Sequence, residues 1–179
     1  MIRRWPVWAL TVLACLTVDA PAQALDPATA TEVKAAFLYN FAKFAEWPAI
    51  PPSRALTLCV AGATKVGDAL AHTVRDKQLD GHSVAAVDVT LDAPLPPCNV
   101  LFVAADELSH ASALLTTLRA TPVLTVSDAS GFARAAGIVE IFVERDRLRF
   151  AINTDAASRA GIHLSSHLLS LARIVRDAP

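Results

Sequence analysis

Leu56-Thr-Leu-Cys-Val60 is a nearly unbroken apolar run of strand length, and Gly62 turns the chain just after it. A strand of that kind is buried on both faces, which is the habit of parallel sheets covered by helices on either side. Working downstream, the periodicity predicts a helix from about Val66 to Arg75 and a strand near Val84 to Val89. A Pro-rich loop at Pro94 to Pro97, a strand from Asn99 to Ala104 and a helical stretch near Ala111 to Leu118 come next. Then come a short strand, Val123 to Val126, and a turn or short helix around Asp128 to Ala133. Alternating strands and helices argue for an α/β fold with a mostly parallel sheet flanked by helices on both faces.

The ending breaks the alternation. Ile138 to Val143 and Arg147 to Ile152 flank the polar turn Glu144-Arg145-Asp146, and Leu148, Phe150 and Ile152 alternate with Arg147, Arg149 and Ala151. That pattern is a C-terminal antiparallel hairpin with one wet face. A terminal helix would carry Leu164, Leu168, Leu171 and Val175 on one stripe, after a break at Gly161. Upstream of the first strand, Thr29-Ala-Thr-Glu32 has the capping-box form. Val33, Phe37, Phe41 and Phe44 then recur at helical spacing until Trp47-Pro48 stops the run.

The first residues have the order of an export signal: Arg3 and Arg4, an apolar stretch from Trp5 to Val18, and the small-x-small site Ala22-Gln23-Ala24. Cleavage after Ala24 is the expectation, so residues 1–24 are a signal peptide and residues 25–179 one domain in the periplasm. The apolar stretch is too short for a membrane span. A lipoprotein signal ending at Cys15 is the rival reading, with Leu13 standing where a small residue is usual.

Removing 24 of 179 residues leaves 155, enough for one well-filled core. That chain has 14 basic against 16 acidic residues, a formal charge of −2. Nucleic acid is therefore not an expected partner, because phosphate binding needs a clustered positive field. Two cysteines remain, Cys59 and Cys98. An even pair in an oxidising compartment reads as a disulfide, with two buried free thiols as the alternative. If the first and third strands are neighbours, as in the flavodoxin-like order, the two sulfurs can meet.

No motif commits the chain to catalysis. Gly62-Ala-Thr-Lys-Val-Gly67-Asp68 sits where a phosphate loop would, but it lacks the Lys-Ser/Thr after the second glycine and Asp68 would repel the phosphate. His163 and His167 are four apart on the predicted last helix, with Leu164 where a zinc protease needs glutamate and with no third ligand. Ser165-Ser166-His167 are helix neighbours that point to different faces. Asp106-Glu107 suits a helix entry. The expectation is a protein that is not an enzyme and uses no cofactor or metal. The first helix is instead rich in aromatics, and Leu38 and Tyr39 lie off its main stripe. With Trp47 they are the candidate partner-binding residues.

Glu32-Val-Lys-Ala-Ala-Phe-Leu-Tyr-Asn-Phe-Ala-Lys-Phe-Ala-Glu-Trp-Pro48 resembles the opening signature of the YfiR-like periplasmic proteins. Leu58-Cys-Val-Ala-Gly62, Cys98-Asn-Val-Leu-Phe102, Val123-Leu-Thr-Val-Ser-Asp128 and Arg149-Phe-Ala-Ile-Asn153 match as well, as does Gly161-Ile-His-Leu-Ser-Ser-His-Leu-Leu169. The chain departs from the pattern at Ala136-Gly137-Ile138, where the family has two glycines and a methionine, and it lacks the second cysteine pair of some members. The resemblance implies a periplasmic repressor that binds the periplasmic sensor region of a membrane-bound diguanylate cyclase, lowering cyclic di-GMP and disfavouring biofilm. It implies also that Cys59 and Cys98 are the family's structural bridge. A second copy, forming a homodimer, is another partner the residues allow. The competing function is a periplasmic small-ligand binding or sensing protein.

Overall fold

The structure is a computed structural model that describes residues 26–48, 50–135 and 137–177; the leader, its cleavage site and Cys15 lie outside the described residues. Asp26 starts the first helix: its carboxylate accepts the Thr29 N–H at 3.0 Å, and Pro27 comes next, where a missing N–H costs nothing. Helix α1 (Pro27–Lys43) thus begins before the Thr29 to Glu32 box, because the earlier cap satisfies the first turn.

Downstream of α1 lie β1 (Ala45–Glu46), β2 (Leu56–Ala61), α2 (Thr64–Val74), β3 (Gln78–Leu79), β4 (His82–Val89) and β5 (Val100–Val103). A 3-10 turn, Ala105–Glu107, leads into α3 (Leu108–Leu118), then β6 (Leu124–Ser127), β7 (Val139–Glu144) and β8 (Arg147–Asn153). The chain ends with α4 (Thr154–Arg159), β9 (His163–Leu164), α5 (Ser166–Leu171) and β10 (Arg173–Val175).

The main sheet runs β10-β8-β7-β6-β5-β2-β4-β3. Its centre, β4-β2-β5-β6-β7, is parallel, while β8 is antiparallel to β7. β2 and β5 are neighbours, which is the flavodoxin-like condition under which Cys59 and Cys98 can meet. Alternate residues explain why these strands are apolar throughout. Leu58, Val60, Val100 and Phe102 join the core under α1 and α2, whereas Cys59, Leu101 and Val103 join a second core with Ala111 of α3.

Cys59 and Cys98 form a disulfide, with Cα atoms 5.8 Å apart. Beside it Asn99, 1% exposed, prolongs the β2–β5 pairing. Its N–H donates to the Thr57 carbonyl at 2.7 Å and its Oδ1 accepts the Thr57 N–H at 3.1 Å.

The hairpin closes with Glu144 opposite Arg147, leaving Arg145 and Asp146 as a two-residue turn. Both have positive φ, 50° and 57°, the backbone whose twist matches the flanking strands. Before the hairpin, Glu140 anchors the segment after β6 by accepting the Gly131 and Ala133 N–H groups at 3.1 and 3.2 Å. A Cβ at Gly137 would stand 2.2 Å from Cε1 of Phe132, so the retained glycine is the one that this packing requires.

The terminal helix is shorter than its sequence stripe. Gly161, at φ 69°, separates α4 from β9. Leu164 lies in β9, paired with β1, and Leu168 and Leu171 are in α5. Val175 lies in β10, paired in parallel with β8. Ala172 is extended, with φ −92° and ψ 152°, and ends the helix. The last residues gain sheet hydrogen bonds that a continued helix would forgo.

Candidate partner-binding surface

Strand register decides which hairpin side chains share a face. Val143 opposes Leu148, Ile141 opposes Phe150, and Val139 opposes Ile152. Ile174 on β10 lies beside Ile152. Val143, Leu148, Phe150, Ile152 and Ile174 therefore leave the sheet on one side. Helix α1 covers the inner part of that side, where Phe150 packs edge-on against Phe37 and Phe41 at centroid distances of 5.4 and 5.1 Å.

Cover runs out towards the hairpin tip. Val143 is 60% exposed, Ile174 46% and Leu171, three residues before Ile174, 58%, while Leu148 is half-buried. The opposite side of the same strands is charged. Phe142, Arg149, Arg147, Glu144 and Arg173 share it by register, with the Arg173 guanidinium 4.4 Å from the Phe142 ring centroid and paired with Glu144. An apolar face backed by arginine and aromatic groups is the composition that protein partners use.

The three residues proposed from sequence are placed differently. Leu38 has no exposed surface and belongs to the main core, which removes it from any partner surface. The reason is that α1 buries Ala35, Leu38, Phe41 and Ala42 rather than the Val33, Phe37, Phe41 and Phe44 stripe. Small alanines let the helix lie close to the sheet on that face. Tyr39 is half-buried against the same core. Trp47 is half-buried in a groove with Ile50, Leu56, Asp80 and His82, and its Nε1 is enclosed without an acceptor among the described residues. That groove borders β4, towards the opposite edge of the sheet from β10, so the three do not form one patch. Sequence reasoning misses Val143, Leu148, Leu171 and Ile174. Their signal is an apolar hairpin and C-terminal tail longer than one covering helix can shield.

The chemistry-bearing motifs serve structure. In the Gly62 to Asp68 loop, Asp88 presses on Gly67, where a Cβ would lie 1.9 Å from Oδ1. Burial, and then the Asp68 charge, pushes the Asp88 carboxyl up, and two acidic side chains stand at this corner where a phosphate would need positive charge. Ser165 caps α5 by accepting the Leu168 N–H at 3.2 Å. His163 lies in β9 and His167 in α5, where its ring packs on Phe44 at 5.3 Å. Glu107 pairs with His110 at 3.1 Å. Asp128 joins Lys34 of α1 at 2.5 Å and accepts the Ala105 N–H at 2.9 Å, tying α1 to the strand ends. Among the described residues no group of three metal-ligating side chains comes together.

A family profile described as YfiR/HmsC-like matches residues 31–173, from within α1 to the first residue of β10, and so includes the hairpin but not Ile174. The chain belongs to the YfiR/HmsC-like family.

Proposed function

We propose that the protein is exported, loses its leader after Ala24, and acts in the periplasm as a repressor that binds the sensor region of an inner-membrane diguanylate cyclase. The family is a regulatory rather than a catalytic one, which supports a binding role. Among the described residues no helix is long and apolar enough to cross a membrane. The observation that carries the reading is the uncovered apolar strip of Val143, Leu148 and Ile174, with the Arg173 and Phe142 stack on the opposite side of the same strands. Repression requires that this surface bind the inactive state of the cyclase more tightly than the active one, since equal affinity would shift nothing.

Val143→Glu combined with Ile174→Glu places two charges on the strip without touching the buried core. The double variant should fold with unchanged thermal stability, fail to capture the cyclase sensor region in a pull-down, and leave cellular cyclic di-GMP as high as a deletion does. Full capture and full repression by a folded double variant would discard the surface. Unchanged cyclic di-GMP on deletion of the wild-type gene would discard the repressor role.

A further inference from the structure

The described residues line a half-open cavity of about 260 Å³ between α3 and the segment that joins β6 to β7. It lies on the α3 side of the sheet, away from α1 and the exposed strip. Leu115 and Leu118 of α3, Val123, Phe132 and Ile138 supply an apolar wall. On the floor, the Thr125 hydroxyl accepts the Ile138 N–H at 3.1 Å, so that backbone donor is satisfied. Among the described residues one charged side chain lines the space, Arg119, which stands just past the last turn of α3 and is exposed. Among the described residues it has no carboxylate within ion-pair distance. Asp177 feels its charge, but that carboxylate is held by Arg159 and Asn153.

The other large hollows are richer in carboxylates. The one at the strand ends is lined by Asp88, Asp92 and Glu107 with His110, and the one at the start of α1 by Asp26, Glu32 and Asp68 with Lys65 and His72. An apolar wall with a single convergent cation is the arrangement of a ligand pocket, and it selects for charge as well as size. We propose that this cavity binds a small organic monocarboxylate, with its apolar chain or ring against Leu115, Val123, Phe132 and Ile138 and its carboxylate on Arg119. The volume admits on the order of ten non-hydrogen atoms.

The test uses the purified protein with octanoate and phenylbutyrate as probes, and octanamide and phenylbutanamide as neutral matches, read by titration calorimetry and thermal shift. Each acid should bind about tenfold more tightly than its amide, the scale of one charge-assisted hydrogen-bond pair. Arg119→Gln should erase that preference and leave the amide affinity unchanged. Ser112→Trp, which fills the mouth from an exposed helical position, should abolish binding of both. Absence of acid binding at low-millimolar concentration overturns the proposal, as does equal affinity for acid and amide. Retained preference in Arg119→Gln, or retained binding in a Ser112→Trp protein of unaltered melting temperature, places the ligand elsewhere and also overturns it. Where Ser112→Trp lowers the melting temperature of the free protein, the Arg119→Gln comparison decides alone.

Discussion

Asn153 donates from Nδ2 to the Ala133 carbonyl and to Asp177, both at 2.7 Å, and accepts the Ala156 N–H through Oδ1 at 2.9 Å. It has no exposed surface, so each of these bonds replaces water that cannot enter. One side chain thereby holds the end of β8, the start of α4, the segment after β6 and the C-terminal residues. Asn153→Ala leaves a buried carbonyl and a buried N–H unpaired and should lower the unfolding free energy by about 3 kcal/mol in urea titration. A loss below about 1 kcal/mol would mean that the segment after β6 rests on the Glu140 anchor instead. Asn153 stands in plain view in the Arg149 to Asn153 motif, yet its role is not legible there. Two of its three partners lie 20 and 24 residues away and depend on how three elements meet. Leu38 is misplaced by the sequence for a related reason, because helical spacing gives a set of faces and only the neighbouring sheet chooses among them.

At the scale of elements, the hairpin is legible because its signal is local. Two alternating runs and a tight polar turn leave one register that buries Phe150 and Ile152 together. The turn itself is imperfect. Arg145 and Asp146 both hold the left-handed backbone that glycine and asparagine adopt more cheaply. Asp146→Gly should therefore stabilise the protein by about 0.5–1 kcal/mol, read as a higher urea midpoint with an unchanged slope. A lower midpoint would show that the aspartate side chain contributes more than its backbone costs. The C-terminal segment is harder to read. Leu164, Leu168, Leu171 and Val175 fit a helical stripe, but the free edge of β8 offers Arg173 to Val175 a ladder whose existence no local pattern reveals. β1, β3 and β9 also escape the sequence, since a strand of two residues has too few side chains to show alternation.

For the whole molecule, the buried strands and the alternation of elements are sufficient to anticipate a mostly parallel sheet, while the placing of β2 beside β5 is settled only by the fold. That adjacency brings Cys59 within bonding reach of Cys98. The proposed partner surface is not legible at this scale, because exposure is a property of how far α1 extends over β7 and β8, not of any residue's type. The bridge spans 39 positions. In the chain-entropy account, closing such a loop restricts the unfolded chain by about 4 kcal/mol. Cys59→Ala with Cys98→Ala should reduce stability by about that amount relative to the oxidised protein, and a reducing agent should then have no further effect on the variant's unfolding curve. A variant as stable as the oxidised protein would mean that the unfolded chain is already confined by other contacts.

The bond between Cys59 and Cys98 also makes a covalent ring of the residues between them, and that ring contains α2, β3 and β4. A protease that cuts the backbone inside the ring therefore releases nothing. Both pieces stay tethered through sulfur and would travel as one species in electrophoresis until a thiol is added.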